Sequence, residues 1–200
     1  MIKNVVFDFG QVLVHFEPIY MTKQYIQDEN DAKHSAEVIF DRLYWDRLDD
    51  GTITDDEVVE RVKERLPEHL HKGAEAAYRN WIYHIPEVSG MRELMQKIKK
   101  EKGVRVFILS NISRYFAEHA DEIPILREAE YCIFSAVCGH TKPEAAMFDH
   151  LCRTCKILPE ETVFIDDSAK NIAGAEAFGI KGYLFDGDVV RLQTFLEEIL

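Results

Sequence analysis

Positive charge is in short supply in this 200-residue chain: 24 lysines and arginines stand against 36 aspartates and glutamates, a formal net charge of -12. Nucleic acid and anionic membranes both require a clustered basic face, so this balance argues against them and for small soluble partners. Cysteine is also scarce. Cys132, Cys138, Cys152 and Cys155 fall late in the chain without the spacing of a disulfide framework, which fits a reducing compartment and sets a cytoplasmic location as the expectation. No apolar run is long enough to span a bilayer, and because strand-like sequence begins almost at Met1, no signal peptide with its charged and apolar regions is expected. Repeats and low-complexity linkers are lacking as well. At 46% hydrophobic, the chain can bury one main core and a small second one inserted into it.

What is present begins with Asn4-Val5-Val6-Phe7-Asp8-Phe9-Gly10-Gln11-Val12-Leu13. Strand-forming apolar residues run straight into an aspartate and a glycine, so a buried strand is expected to end with Asp8 at its tip. An acid there lies at the edge where open α/β sheets bind ligands, although a helix cap or a solvated turn would place it equally well. From about Ile19 to Lys100 the pattern is helical. Thr54-Asp55-Asp56-Glu57 reads as a capping box, Val58, Val59, Val62 and Leu66 give one apolar face, and Pro67 ends the helix. Tyr44 and Trp45 are read as the end of the preceding helix, where they either pack in a core or, with Asp50-Gly51, reach toward a substrate.

A helix from Pro86 carries Val88, Met91, Leu94, Met95 and Ile98 on one face and stops at Gly103. Val104 to Leu109 is the next strand and breaks at Ser110-Asn111. Tyr131 to Val137 is a third strand, followed by Thr141-Lys142-Pro143-Glu144, where Pro143 suits the first turn of a helix and Lys142 stays just outside it. Phe148, Leu151, Cys152 and Cys155 share a helical face; Cys152 and Cys155 have the spacing of a redox pair but the setting of packed thiols. Thr162 to Ile165 is a strand ending in Asp166-Asp167, two adjacent acids that serve a helix cap or, by their mutual repulsion, call for a cation. Gly182 to Phe185 and a helix from Val189 complete the chain.

Alternating strands and helices imply a parallel sheet with right-handed crossovers, whose carboxyl ends share one edge. Asp8, Ser110, Asn111, Lys142, Asp166 and Asp167 then meet. Three acids for a hard divalent cation, a lysine, and a hydroxyl beside backbone amides are the components of a phosphoryl-transfer site, in which a carboxylate held in line attacks phosphorus.

These residues, in Val-Phe-Asp8-Phe-Gly-Gln-Val-Leu, Ile-Leu-Ser110-Asn, Thr-Lys142-Pro-Glu and Phe-Ile-Asp166-Asp167 with Asn171 four residues on, resemble the four motifs of the haloacid dehalogenase superfamily, in the family's order and over essentially the whole chain. Among its subgroups the likeness is to bacterial α-D-glucose-1-phosphate phosphatases. The resemblance implies an α/β fold: a Rossmann-like parallel sheet core over residues 1–16 plus 86–200 and a small helical cap of C1 type over 17–85. It implies Asp8 as nucleophile, Ser110, Asn111 and Lys142 around the transferring phosphate, and Mg2+ held by Asp8, the backbone carbonyl of Gly10, Asp167 and Asp166. The substrate would be a small phosphorylated molecule, a sugar phosphate such as glucose 1-phosphate.

One position departs from the family pattern. Most phosphatases of the family carry a second aspartate two residues after the nucleophile, as general acid and base, and here that residue is Gly10. Such a loss costs about a hundredfold to ten-thousandfold in rate, less where the leaving group is weakly basic, as at a sugar's anomeric oxygen. Gly10 therefore points toward sugar 1-phosphates or toward an acid supplied by the cap. It also keeps open a weak or inactive phosphate-binding module. A phosphomutase would need the missing residue more, and the family's metal-free dehalogenases typically lack a pair like Asp166-Asp167.

Overall fold

The computed structural model describes residues 1–200. At its centre are five parallel strands, β1 (Asn4–Phe7), β2 (Arg105–Ser110), β3 (Tyr131–Phe134), β4 (Thr162–Asp166) and β5 (Lys181–Leu184), in the spatial order β3-β2-β1-β4-β5. β1 is the middle strand and is buried throughout, which is why it reads as an unbroken apolar run rather than an alternation. Its pleat sends Val5 and Phe7 to one face of the sheet and Val6 to the other.

Between β1 and β2 the chain forms α1 (Pro18–Lys23), α2 (Glu29–Ile39), α3 (Arg42–Asp49), α4 (Asp55–Arg65), α5 (His71–Asn80) and α6 (Met91–Lys102). Residues of α2 to α5 enclose a hydrophobic cluster of their own, including Ile39, Tyr44, Leu48, Val58, Val62 and Tyr78, while Met21 of α1 and Trp81 belong to the core against the sheet. The α4 capping box forms as the sequence predicts: Thr54 Oγ1 accepts from the Glu57 amide at 3.2 Å and Glu57 Oε2 accepts from the Thr54 amide at 2.9 Å. After β2 come α7 (Arg114–Glu118), then α8 (Ser135–Cys138) and α9 (Ala145–Cys155) after β3, α10 (Ala169–Phe178) after β4 and α11 (Val189–Ile199) after β5. Helices α6 and α11 cover one face of the sheet, and α9 and α10 cover the other. This is the expected α/β architecture with a helical insertion after the first strand. No helix is long and apolar enough to cross a membrane.

Several boundaries differ from the sequence reading, each for a tertiary reason. The helix expected from Pro86 starts at Met91, because the preceding segment pairs with the loop after β1: the Val88 amide donates to Leu13 O at 2.9 Å and the His15 amide to Pro86 O at 2.8 Å. Tyr44 and Trp45 lie inside α3 rather than at its end. β3 stops at Phe134, where the chain turns into α8 under the insertion, and Pro143 stands in the turn before α9 instead of within its first turn. Cys152 and Cys155 are buried free thiols, pushed up to about 11 by burial, which makes them packing residues and not a redox pair.

Candidate active site

The carboxyl edge of the sheet gathers the residues that the motifs single out. Asp8 follows β1 directly, Ser110 and Asp166 are the last residues of β2 and β4, and Lys142 reaches in from the turn before α9; all four are buried. The Lys142 ammonium lies 2.7 Å from Asp8 Oδ1 and 2.7 Å from Asp166 Oδ2. Asp8 Oδ1 also accepts from the Phe9 amide at 2.7 Å. Asp166 is the most heavily hydrogen-bonded of the acids: besides Lys142 it accepts from the Ser168 amide at 2.8 Å and from Asn171 Nδ2, 3.1 Å from each oxygen.

The Lys142 turn is held from two sides. Asn111 Oδ1 accepts from the Lys142 amide at 2.8 Å while Asn111 Nδ2 donates to the Lys142 carbonyl at 3.0 Å, so that side chain fixes the lysine's backbone. On the other side α10 packs so closely that a Cβ on Gly174 would fall 2.6 Å from the Pro143 carbonyl oxygen. That close approach is the reason for a glycine inside a helix.

The charges do not balance. Burial raises Asp8 to about 6, with Lys142 pulling it down and Asp166 pushing it up. Burial would lower Lys142, but Asp8 and Asp166 outweigh it and hold the ammonium above its usual range. Asp167 is raised as well, by burial and then by Asp166. One carboxylate oxygen from each of Asp8, Asp166 and Asp167 can be found with all three within 4.8 Å of one another. An oxygen-only set with excess negative charge suits a hard divalent cation such as Mg2+, which would relieve the repulsion. Asp166 enters that set with its oxygens already engaged, whereas Asp167 is exposed at the cleft.

Above Asp8 is a cleft of about 360 Å3. Gly10, Gln11 and Phe16 line it from the loop after β1, Arg42 and Trp45 from α3, and Trp81 from just beyond α5. Phe16, Trp45 and Trp81 touch edge to face, with ring centroids 5.3 to 5.6 Å apart. Gln11 takes φ +57 to turn the loop, while Gly10 has ordinary φ and no atom within 4 Å of where a Cβ would stand. Space for a side chain exists at position 10; the sequence simply omits it.

Of the cap residues singled out from sequence, only Trp45 lines this cleft. Tyr44 is buried in the insertion, where its hydroxyl accepts from Arg65 Nη1 at 3.0 Å. Asp50 accepts from Thr52 instead, and Gly51 takes φ +75 beside the Ala136 carbonyl. Arg42, Phe16 and Trp81 were missed. Arg42 was within reach of sequence reasoning, since it lies three residues before Trp45 on the same helix.

Comparison with known proteins fits this geometry. The family model for haloacid dehalogenase-like hydrolases matches residues 2–179. A D-ribitol-5-phosphate phosphatase of Bacteroides thetaiotaomicron is 27% identical over 191 residues, covering 92% of this chain and 91% of the relative. A sesquiterpene phosphatase of Aspergillus oryzae is 26% identical, covering 90% and 88%. Among solved structures, a haloacid dehalogenase family enzyme of Bacteroides thetaiotaomicron in complex with magnesium and inorganic phosphate superposes with a TM-score of 0.68 at 22% identity, over 96% of this chain and 99% of that one. With the family model matched over most of its length and the motif residues gathered at one sheet edge, this chain belongs to the haloacid dehalogenase-like hydrolases.

Proposed function

We propose that this hydrolase is a magnesium-dependent phosphatase that cleaves a small phosphate monoester through an aspartyl-phosphate on Asp8, with a sugar phosphate such as glucose 1-phosphate as the favoured substrate class. Asp8 attacks phosphorus, and the Ser110 hydroxyl, the Asn111 amide and the Lys142 ammonium hold the transferring oxygens. The observation that carries this reading is the buried Lys142 bridging Asp8 and Asp166, a cation fixed beside the attacking carboxylate. Asp8, Asp167 and the backbone carbonyl of Gly10 would hold Mg2+, with Asp166 adding its charge from beside them. When bound, the ion supplies Lewis acidity and offsets the charge of acids and phosphate. Residues 1–16 plus 86–200 carry this chemistry, and 17–85 serve as the cap that selects substrate through Arg42 and Trp45.

The named relatives support phosphatase activity, one on a sugar-alcohol phosphate and one on a terpenoid phosphate. An aromatic wall suits the C–H faces of a sugar, and a sugar 1-phosphate has the leaving group that Gly10 tolerates best. The test is phosphate release from glucose 1-phosphate, ribitol 5-phosphate, a prenyl phosphate, a nucleotide and an aryl phosphate, with Mg2+ and with chelator. Release is expected with Mg2+ only, strongest on a sugar or polyol phosphate. Gly10 favours one other reading, a binding module without turnover; binding of Mg2+ and phosphate with no release from any ester would establish it.

A further inference from the structure

Gly10 leaves the leaving-group oxygen without an acid from the β1 loop, and one carboxylate of the insertion is placed to take that task. Arg42 and Trp45 line the cleft, and Asp49, the last residue of α3, lies seven residues beyond the first and four beyond the second, on the same side of that helix. Its backbone carbonyl accepts from Ser135 Oγ at 2.6 Å, and the same hydroxyl accepts from the Ile112 amide at 2.9 Å. A single buried serine therefore joins the end of α3 to the loop that presents Ser110 and Asn111.

Asp49 Oδ1 is buried and has no hydrogen-bond partner, the only carboxylate oxygen in the protein in that condition. A carboxylate oxygen kept from water without a donor is costly unless it carries a proton or meets a ligand that donates one. The charged groups acting on it are Asp46 and Arg42 on its own helix and Lys142 and Asp8 at the sheet edge. Burial first, then Asp46, pushes its carboxyl up to about 7, in the range where one group can serve as both acid and base at neutral pH.

We propose that Asp49 is the general acid and base of this enzyme, supplied by the insertion in place of Gly10. This rests on the phosphatase reading above. In the first step Asp8 Oδ forms a bond to phosphorus, the phosphorus–oxygen bond to the alcohol breaks, and the departing oxygen takes the Asp49 proton. In the second, water attacks the phosphorus of the aspartyl-phosphate and gives a proton to Asp49, releasing phosphate and restoring both the Asp8 carboxylate and protonated Asp49.

The test compares wild type, Asp49→Asn and Asp49→Asn/Gly10→Asp on an alkyl or sugar phosphate and on p-nitrophenyl phosphate, whose leaving group needs no proton. Asp49→Asn is expected to lower kcat/KM, which reports the step that expels the alcohol, by about a hundredfold or more on the alkyl ester with a much smaller loss on the aryl ester, and to slow hydrolysis of the aspartyl-phosphate alike for both. Wild-type kcat/KM on the alkyl ester should fall as pH rises through about 7, and the variant should lack that limb. Gly10→Asp in the same background should restore part of the alkyl rate. Equal losses of kcat/KM on both esters, or a raised KM with kcat unchanged, would overturn the assignment while the phosphatase reading stands. Unchanged inhibition by inorganic phosphate shows that the variant's phosphate site is intact. Failure of the phosphatase reading would be visible in wild type itself, as no release from either ester, and would take the Asp49 assignment with it.

Discussion

Replacing Asp49 by Asn should stabilise the protein at alkaline pH and do little at acid pH. Asp49's carboxyl is held above its ordinary 3.8, at about 7, chiefly by burial. A raised carboxyl favours the folded state by binding a proton there; that contribution is whole below about pH 4 and is lost as pH rises through about 7. The shift of about three units corresponds to about 4 kcal/mol lost by pH 8, and partial exposure of the residue reduces the expected figure to about 2–4 kcal/mol. Asn carries no charge to bury, so the loss is absent in the variant. Any fixed cost of an unpaired amide is the same at every pH and cancels in the difference. Urea denaturation of both proteins at pH 4 and pH 8.5, in chelator, measures it. If the variant gains no stability over wild type between the two pH values, the carboxylate is not held in the environment described, and its part in proton transfer loses its physical basis.

Asp8→Asn should abolish phosphate release while circular dichroism reports an intact fold, and turnover in that variant would remove Asp8 as nucleophile. Gly10→Asp should fold normally, since a side chain there meets open space, and should change alkyl-phosphate rates little while Asp49 is present but raise them in the Asp49→Asn background; no gain there would mean that the new carboxyl does not reach the leaving oxygen. Gly174→Ala reverses the usual helix preference: in place of a gain of up to about 1 kcal/mol, it should cost about 1–3 kcal/mol and lower activity, because the new methyl meets the Pro143 carbonyl behind Lys142. A thermal melt and a rate measurement on one preparation check both effects.

The sheet and its acidic edge were legible because β1, β2 and β4 are buried on both faces, so that strand identity is written in short apolar runs and the functional residues sit where those runs break. The α4 cap was legible for a similar reason, as its hydrogen bonds close within four residues. What escaped the sequence was set across distance. Val88 fits the apolar face of a helix by spacing, yet it is claimed by a hydrogen bond to Leu13, and α6 begins later for that reason. Asp49 is one of three acids in Asp46, Asp49 and Asp50, alike in sequence. Only contact with Ser135, 86 residues further on, and burial against the core make it unlike the other two.

The protein has two tryptophans, and both stand in the cleft wall with their ring centroids 5.3 Å apart, one on α3 and the other just beyond α5. All of its indole emission therefore originates beside the substrate site. Ligand entry, product departure or any change in the packing of α3 should register as a change in intrinsic fluorescence, so occupancy can be followed in real time in the unlabelled protein.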